Sequence, residues 1–298
     1  MTTSTQPVAA PRETSTAAVS VRRQSRRRFK RIGADVAGLL VFVVMIFPVY
    51  WMIATAFKSG DAIASLTPTW FPTHPTLANF RDAVSRPFFW SSVRNSVIVV
   101  VATVSFSLVV AFLAAVAIAR FKFYGRKAMM VAIVLVQMIP LVALIIPMYV
   151  LLARVHLTDN LLGLILTYFA FVLPYTVWML RGFVLGVPAE LEEAAMVDGC
   201  SRLGAFFRIL VPLVAPGFVA TSIYAAIQAW NEYILAYVLL KQHNETITVW
   251  LASLTTLRGT AWGTLMAGST LIALPIVGFF LLVQHRVAAG LTAGAVKG

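Results

Sequence analysis

Six runs of about 20 apolar residues, almost free of charge, decide what this chain can become. They cover residues 36–57, 96–119, 128–152, 161–180, 215–240 and 264–283, and of the chain's 24 Lys and Arg and 11 Asp and Glu only Glu232 falls within one. A charge at the centre of a membrane helix costs roughly 2.5 to 3.5 kcal/mol on insertion, which accounts for the avoidance. With 60% hydrophobic residues and a mean hydropathy of +0.86, a water-soluble fold has no core large enough to hide these side chains. A helix rising about 1.5 Å per residue crosses a hydrocarbon layer of roughly 30 Å in such a run. The apolar residues continue all round each segment instead of alternating as barrel strands do. The expected fold is therefore all-α and integral to a membrane, with six transmembrane helices.

The net charge of +13 fits a membrane surface better than nucleic acid, because of where it sits. Eight basic residues precede the first run, among them Arg22, Arg23, Arg26, Arg27, Arg28, Lys30 and Arg31. With that tail in the cytoplasm, 17 Lys and Arg lie inside and 7 outside, the positive-inside pattern. Both termini are then cytoplasmic. Arg26-Arg27-Arg28-Phe29-Lys30 before an apolar stretch imitates a twin-arginine export signal. The stretch that follows is 22 residues long, however, and carries Pro48, Tyr50 and Trp51 near its outer end, as a retained helix does. Residues 1–35 read as a basic, disordered cytoplasmic tail, 36–284 as the six-helix domain, and 285–298 as a C-terminal cytoplasmic tail. A single cysteine, Cys200, excludes an internal disulfide and a multi-cysteine metal site.

Two outer loops are too long and apolar for bare turns. Residues 58–95 carry Pro68, Pro72, Pro75 and Pro87 among aromatics and are expected along the outer membrane surface. Residues 247–257 are too short to span and read either as a surface helix or as a contact for an external partner. The cytoplasmic segment 181–213 differs, because it holds most of the internal acids: Glu190, Glu192, Glu193 and Asp198. Pro188 opens a helix, the acids follow where the helix dipole favours them, and Gly199 breaks it. A second helical run over 201–209 is expected to stop at Pro212. A helix, glycine turn and helix projecting between two spans suits docking into another protein's groove.

Glu193-Ala194-Ala195, Gly199, Ile209 and Pro212, at these spacings, resemble the EAA loop in permeases of ATP-binding-cassette importers. Val211 is the departure, since the family usually has Leu there. Six residues at fixed spacing arise by chance in a chain this long on the order of once in ten thousand. The resemblance implies that the loop docks on an ATPase subunit and transmits its motion, a role carried here by Glu193, Ala194, Ala195, Asp198 and Gly199, and by Ile209 and Pro212. Pro48, Trp51, Asn95-Ser96, Ala119-Arg120-Phe121, Pro140, Pro147 and Trp230-Asn231-Glu232 extend the likeness to the second, MalG-like permease of maltose-type carbohydrate importers. The C-terminal residues, including Gly290, Leu291, Thr292, Gly294 and Lys297, resemble the tail of that permease type, which implies a place at the ATPase interface. The resemblance further implies a sugar as cargo, a second permease as heterodimer partner, two ATPase subunits and an extracytoplasmic solute-binding protein, in a bacterial cytoplasmic membrane. ATP and Mg²⁺ belong to the partner subunits, and no cofactor is expected on this chain.

Glu232, with Asn231 and Gln228, would be costly against lipid and is expected to face the bundle interior or a wet cavity. These three residues either line the translocation path or form a structural network between helices. Pro140, Pro147, Pro174 and Pro275 interrupt spans as hinges or as tolerated kinks. The sequence has no phosphate-binding loop, metal-ligand cluster or nucleophile with a spaced His, so the chain is not expected to be an enzyme. The competing reading is a secondary transporter driven by an ion gradient, which would need paired intramembrane charges and internal repeats.

Overall fold

A computed structural model describes the backbone of residues 16–241, 243–257 and 259–295, and side chains within those ranges from residue 33 to residue 283. The chain divides into a first unit ending at Ala54 and a second beginning at Thr55.

The described residues of the first unit belong to one helix, α1 (Thr16–Ala56). Its membrane-length part, Gly33–Ala56, has 24 residues and carries no charge beyond Asp35, and Phe47 packs on Trp51 one turn away, with ring centroids 6.0 Å apart. The expectation of a disordered segment through residue 35 is corrected here, because the backbone is helical from Thr16. Residues 16–32 contain neither Pro nor Gly and are rich in Arg, a good helix former, so nothing halts a helix propagating back from the membrane-length part.

The second unit contains, in order, α2 (Gly60–Ala64), α3 (Ala78–Ser85), α4 (Phe89–Arg120), α5 (Arg126–Gln137), α6 (Ile145–Arg154), α7 (Leu161–Gly186), α8 (Glu190–Val197), α9 (Arg202–Ala205), α10 (Val211–Asn231), α11 (Ile234–Leu239), α12 (Ile247–Ser253) and α13 (Trp262–Ala295). A two-residue antiparallel ribbon, Thr255–Thr256 with Gly259–Thr260, precedes α13. Among the described residues, five helices reach membrane length, and α5 with α6 makes a sixth span if counted together.

The seam of the unit is α4 against α7. The buried positions of α4, including Ser96, Val99, Thr103, Ser107, Ala111, Ala115 and Ile118, recur every three or four residues and are mostly small. Without a hydrophobic drive between helices in lipid, small residues let backbones approach and gain van der Waals contact. Some of the hydroxyls that such packing buries are satisfied locally: Thr167 and Thr176 donate back to Gly163 and Val172 carbonyls at 2.8 Å, and Thr221 to Gly217 at 2.6 Å, whereas the Thr103 and Ser107 hydroxyls of α4 are buried without a hydrogen-bond partner among the described residues. Where α10 crosses α7, Gly217 lies so close to Phe183 that a Cβ would stand 2.5 Å from the ring's Cγ.

Three spans differ from their expected outlines. Residues 128–152 are not one rod: α5 and α6 meet at 97° across a short 3₁₀ turn, Leu141–Leu144. Pro140, at the head of that turn, has no N–H to donate and disfavours helical geometry in the residue before it. The fifth span ends at Asn231 instead of continuing to residue 240; Glu232 and Tyr233 leave helical geometry before α11 begins. At its other end α10 does not start after a stop at Pro212. The chain passes from α9 through a π-helical turn, Phe206–Leu210, into α10, and Pro212 sits in the first turn of α10, where its missing N–H costs nothing. The last span also runs on, as α13, past residue 285 to Ala295, so no break marks the expected boundary of a C-terminal tail.

One end of the unit is closed by its loops. Asn79 of α3 donates to the carbonyls of Ala56 and Lys58 at 2.9 and 2.8 Å, and Thr264 of α13 donates to Asp82 at 2.5 Å. The short helix α12 is part of the core, with Ile247 and Trp250 buried. Trp250 stands edge-on to Phe89 at 5.0 Å, its indole N–H donates to the Pro87 carbonyl at 3.0 Å, and Ser96 Oγ accepts from Ile247 N at 2.8 Å. Asn95 holds the Glu245 carbonyl at 3.2 Å, and burial pushes the Glu245 carboxyl above its usual range.

Candidate functional site

At the opposite end, the chain between α7 and α10 forms a compact projection. The first turn of α8 holds Glu190, Glu192 and Glu193, where exposed N–H groups favour negative charge. The helix then stops in a defined way. Cys200 N–H donates to the Ala195 carbonyl at 2.9 Å and Gly199 N–H to Met196 at 3.1 Å, with Gly199 at φ +90°. That pair of bonds is a Schellman motif, whose left-handed residue favours glycine. Ser201 then caps α9, its hydroxyl accepting from Gly204 N–H at 3.1 Å. The expected helix, glycine turn and helix is thus present. Ala195 and Ala205 are buried, while Glu193, Ala194, Asp198 and Gly199 face outward together. Val197 and Leu203 are 88% and 71% exposed beside them, an apolar rim on a charged knob. Ile209 and Pro212 are not part of this surface; they belong to the π-turn and the start of α10.

Sequence reasoning did not assign a role to the residues that fasten the projection. Arg120, the last residue of α4, reaches Glu192 Oε1 from Nε at 2.8 Å and from Nη2 at 2.7 Å, and Nη2 also donates to the Val187 carbonyl at 2.9 Å. The two side chains are 15% and 19% exposed. In the sequence Arg120 counts among the cytoplasmic positive charges and within Ala119-Arg120-Phe121, and Glu192 among the acids of a helix start. Nothing in their local spacing pairs residues 72 apart.

The second candidate lies midway along the spans. A half-open cavity of about 420 Å³ is bounded by the break after α5, by the middle of α7 and by the last turns of α10. Gln137, Tyr175, Tyr224, Gln228 and Glu232 contribute its polar groups, and Phe171, Pro174 and Met138 its apolar wall. The rings of Tyr175 and Tyr224 lie 3.8 Å apart at 32°. Of the three residues expected to act together, Gln228 and Glu232 line this cavity, and Asn231 is exposed and does not.

Glu232 is no longer a charge within a helix but the joint between two. Its Oε1 accepts from Leu235 N–H at 2.8 Å, and its Oε2 accepts from Tyr168 Oη at 2.6 Å and from Ala236 N–H at 3.2 Å. Its carbonyl takes the Thr248 hydroxyl at 2.8 Å. The carboxylate thereby satisfies the first N–H groups of α11 and ties α11 to α7, while the backbone carbonyl of the same residue holds α12. Among the described residues, no group of three or more His, Cys, Asp or Glu could hold a metal ion. The C-terminal residues singled out from the sequence, Gly290, Leu291, Thr292, Gly294 and Lys297, lie outside the described residues, except that the backbone through Ala295 is helical.

Residues 107–291 match the family described as binding-protein-dependent transport system inner membrane component. The chain is 44% identical over 274 residues to the diacetylchitobiose uptake system permease protein DasC of Streptomyces coelicolor, covering 92% of this chain and 99% of that one. It is 34% identical to the trehalose transport system permease protein SugB of Mycobacterium tuberculosis, covering 87% and 95% of the two chains. In fold it resembles a chain of a bacterial ABC transporter that imports the acidic polysaccharide alginate, with a TM-score of 0.75, 20% identity and coverage of 88% and 97%.

Proposed function

The chain belongs to the binding-protein-dependent transport system inner membrane components, and on that footing we propose which cargo, partners and residues serve its work as a permease subunit of an ATP-binding-cassette importer. Its cargo is a sugar, the class named for its relatives DasC and SugB. It pairs with a second permease in a bacterial cytoplasmic membrane, with both termini in the cytoplasm. Two ATPase subunits bind ATP and Mg²⁺ below, and a soluble binding protein delivers sugar from outside. Glu193, Ala194, Asp198 and Gly199 form the surface that docks on an ATPase, with Ala195 packed beneath them to seat the helix, Ile209 and Pro212 carry its displacement into α10, and Gly290, Leu291, Thr292, Gly294 and Lys297 meet the ATPase interface. Gln228 and Glu232 border the translocation path.

The observation that carries this reading is the outward-facing helix, glycine turn and helix between α7 and α10, fastened by Arg120 to α4. A charged knob with exposed Val197 and Leu203 is suited to a protein groove and unsuited to lipid. Uptake measured in cells lacking the partner ATPases tests it: sugar accumulation should vanish, whereas persistence under an imposed ion gradient would mark a secondary carrier. A cysteine at E193C, in a C200S background, should cross-link to an ATPase subunit from the cytoplasmic side; labelling from outside would reverse the proposed orientation.

A further inference from the structure

From the chemistry of the mid-span cavity we infer that this subunit itself contacts the cargo, through Gln137, Tyr175, Tyr224 and Gln228, and that it passes uncharged saccharides while rejecting anionic ones. The inference rests on the importer reading and adds to it a subsite and a charge rule.

Four observations carry it. The cavity, about 420 Å³, falls in the range of small-ligand sites and is open on one side. Its polar groups come from three separate elements: Gln137 from the last turn of α5, Tyr175 from α7, and Tyr224 and Gln228 from α10. Two amides and two phenols both donate and accept hydrogen bonds, as the hydroxyls of a neutral sugar require, and the paired tyrosine rings at 3.8 Å offer flat apolar surface for the C–H face of a pyranose.

The charge rule follows from what borders the cavity. Among the described residues, its wall contains one carboxylate, Glu232, and no Lys, Arg or His. Glu232 gives three of a carboxylate's about four acceptor sites to fixed donors, the Tyr168 hydroxyl and two backbone N–H groups, so little of it is left for sugar hydroxyls without breaking the joint between α10 and α11. Its field remains. A second carboxylate or a sulfonate entering beside it would lose its hydration, meet no cation, and face a like charge in a medium of low dielectric. A hydroxylated neutral ring meets none of these costs. Glu232 is on this account a positioning residue and a source of repulsion, and the amide and phenol side chains make the contacts.

Saturation-transfer NMR reads such a weak site directly. The probes are the neutral disaccharides cellobiose, maltose, trehalose and N,N′-diacetylchitobiose, with cellobiouronic acid as anionic counterpart, each at millimolar concentration against the solubilised complex of both permeases and the ATPases, without the binding protein. At least one neutral disaccharide should show saturation at its ring protons, and the uronate should show at least about tenfold less. Q228A and Y224A should each reduce the neutral signal several-fold, and Q228K should raise the uronate signal relative to wild type, a gain that damaged packing does not produce. Equal signals for neutral and acidic sugars would overturn the charge rule. No signal from any neutral probe, or signals indifferent to Q228A and Y224A, would overturn the subsite, as would be found if the second permease fills the open side. Uptake that still depends on the ATPases would in either case leave the importer reading standing.

Discussion

Removing the Arg120 guanidinium should release α8 from the bundle without unfolding it. The side chain makes two contacts to Glu192 Oε1, at 2.8 and 2.7 Å, and one to the Val187 carbonyl at 2.9 Å. At 15% and 19% exposure the pair stands between a surface salt bridge, worth about 0 to 1 kcal/mol, and a buried one, whose breakage costs about 3 to 5 kcal/mol. Hydrogen bonds to charged groups contribute about 1.5 to 3 kcal/mol. A cost of about 2 kcal/mol for R120A follows, equivalent to a roughly 30-fold rise in the population with α8 undocked. Amide hydrogen exchange in residues 190–200 of the solubilised importer reads that population, since α8 should open locally without global unfolding. Exchange there should accelerate roughly 30-fold in R120A, and less in R120K, which keeps the charge but loses the planar fork. In proteoliposomes the same variant should hydrolyse more ATP per sugar moved, because the projection no longer moves as one body with α4. The double-mutant cycle with E192A isolates the pair, and a coupling energy of about 2 kcal/mol is expected. Additive single effects, or unchanged exchange in α8 with R120A, would refute the fastening role.

The joint at Glu232 gives an ordering: E232A should lower the thermal stability of the solubilised complex more than Y168F, because it leaves two N–H groups and the Tyr168 hydroxyl unpaired, at about 1 to 3 kcal/mol each, while Y168F removes one bond. The reverse order in fluorescence-detected melting would contradict capping. G217A forces a Cβ to 2.5 Å from Phe183 and should cost about 1 to 3 kcal/mol in the same melt, whereas G199A meets open space and pays only about 1 to 2 kcal/mol of left-handed strain, visible as faster amide exchange around residue 199. Burial holds the Glu245 carboxyl above its usual value, opposed in part by the Ser92 hydroxyl. A pKa raised on folding means that the folded state binds more protons, so stability falls as pH rises from the unfolded value of 4.5 through the folded one. E245Q should therefore raise the melting temperature at pH 7 and leave it unchanged near pH 4; equal effects at both pH values would contradict burial as the cause.

The parts of this molecule that sequence revealed are those written in consecutive residues. Six apolar runs announce spans because lipid exacts its cost along the helix axis, and Gly199 announces a turn because a left-handed residue is needed at one position. The parts that stayed hidden are pairings across the chain. Arg120 and Glu192 are 72 residues apart and Tyr168 and Glu232 are 64 apart, and no local period relates them. Glu232 misled for a related reason: its neighbours Leu235, Ala236 and Leu239 are as apolar as any span, so composition could not reveal that the helix ends at Asn231 and restarts. Pro140 signalled an interruption but not its size, since the 97° bend depends on what α5 and α6 pack against.

Connectivity joins the two candidate sites. The projection continues α7 through Val187 and Pro188, and it feeds α10 through the π-turn at Phe206–Leu210, where one extra residue per turn is the weak point of the helical ladder. Displacing α8 therefore acts on the two helices that bring Tyr175 and Tyr224 to 3.8 Å. Arg120 ties the projection to α4 as well, α4 is the helix most intimately packed along α7, and α10 packs on both. Gly217 lies at the contact of α10 with α7, against Phe183. On the docking role proposed for Glu193 and the subsite inferred above, a nucleotide-driven push at Glu193 would reach the cavity through α7 and α10 as a change in the separation of two tyrosine rings, which is the change a saccharide held between them and the amides of Gln137 and Gln228 would feel.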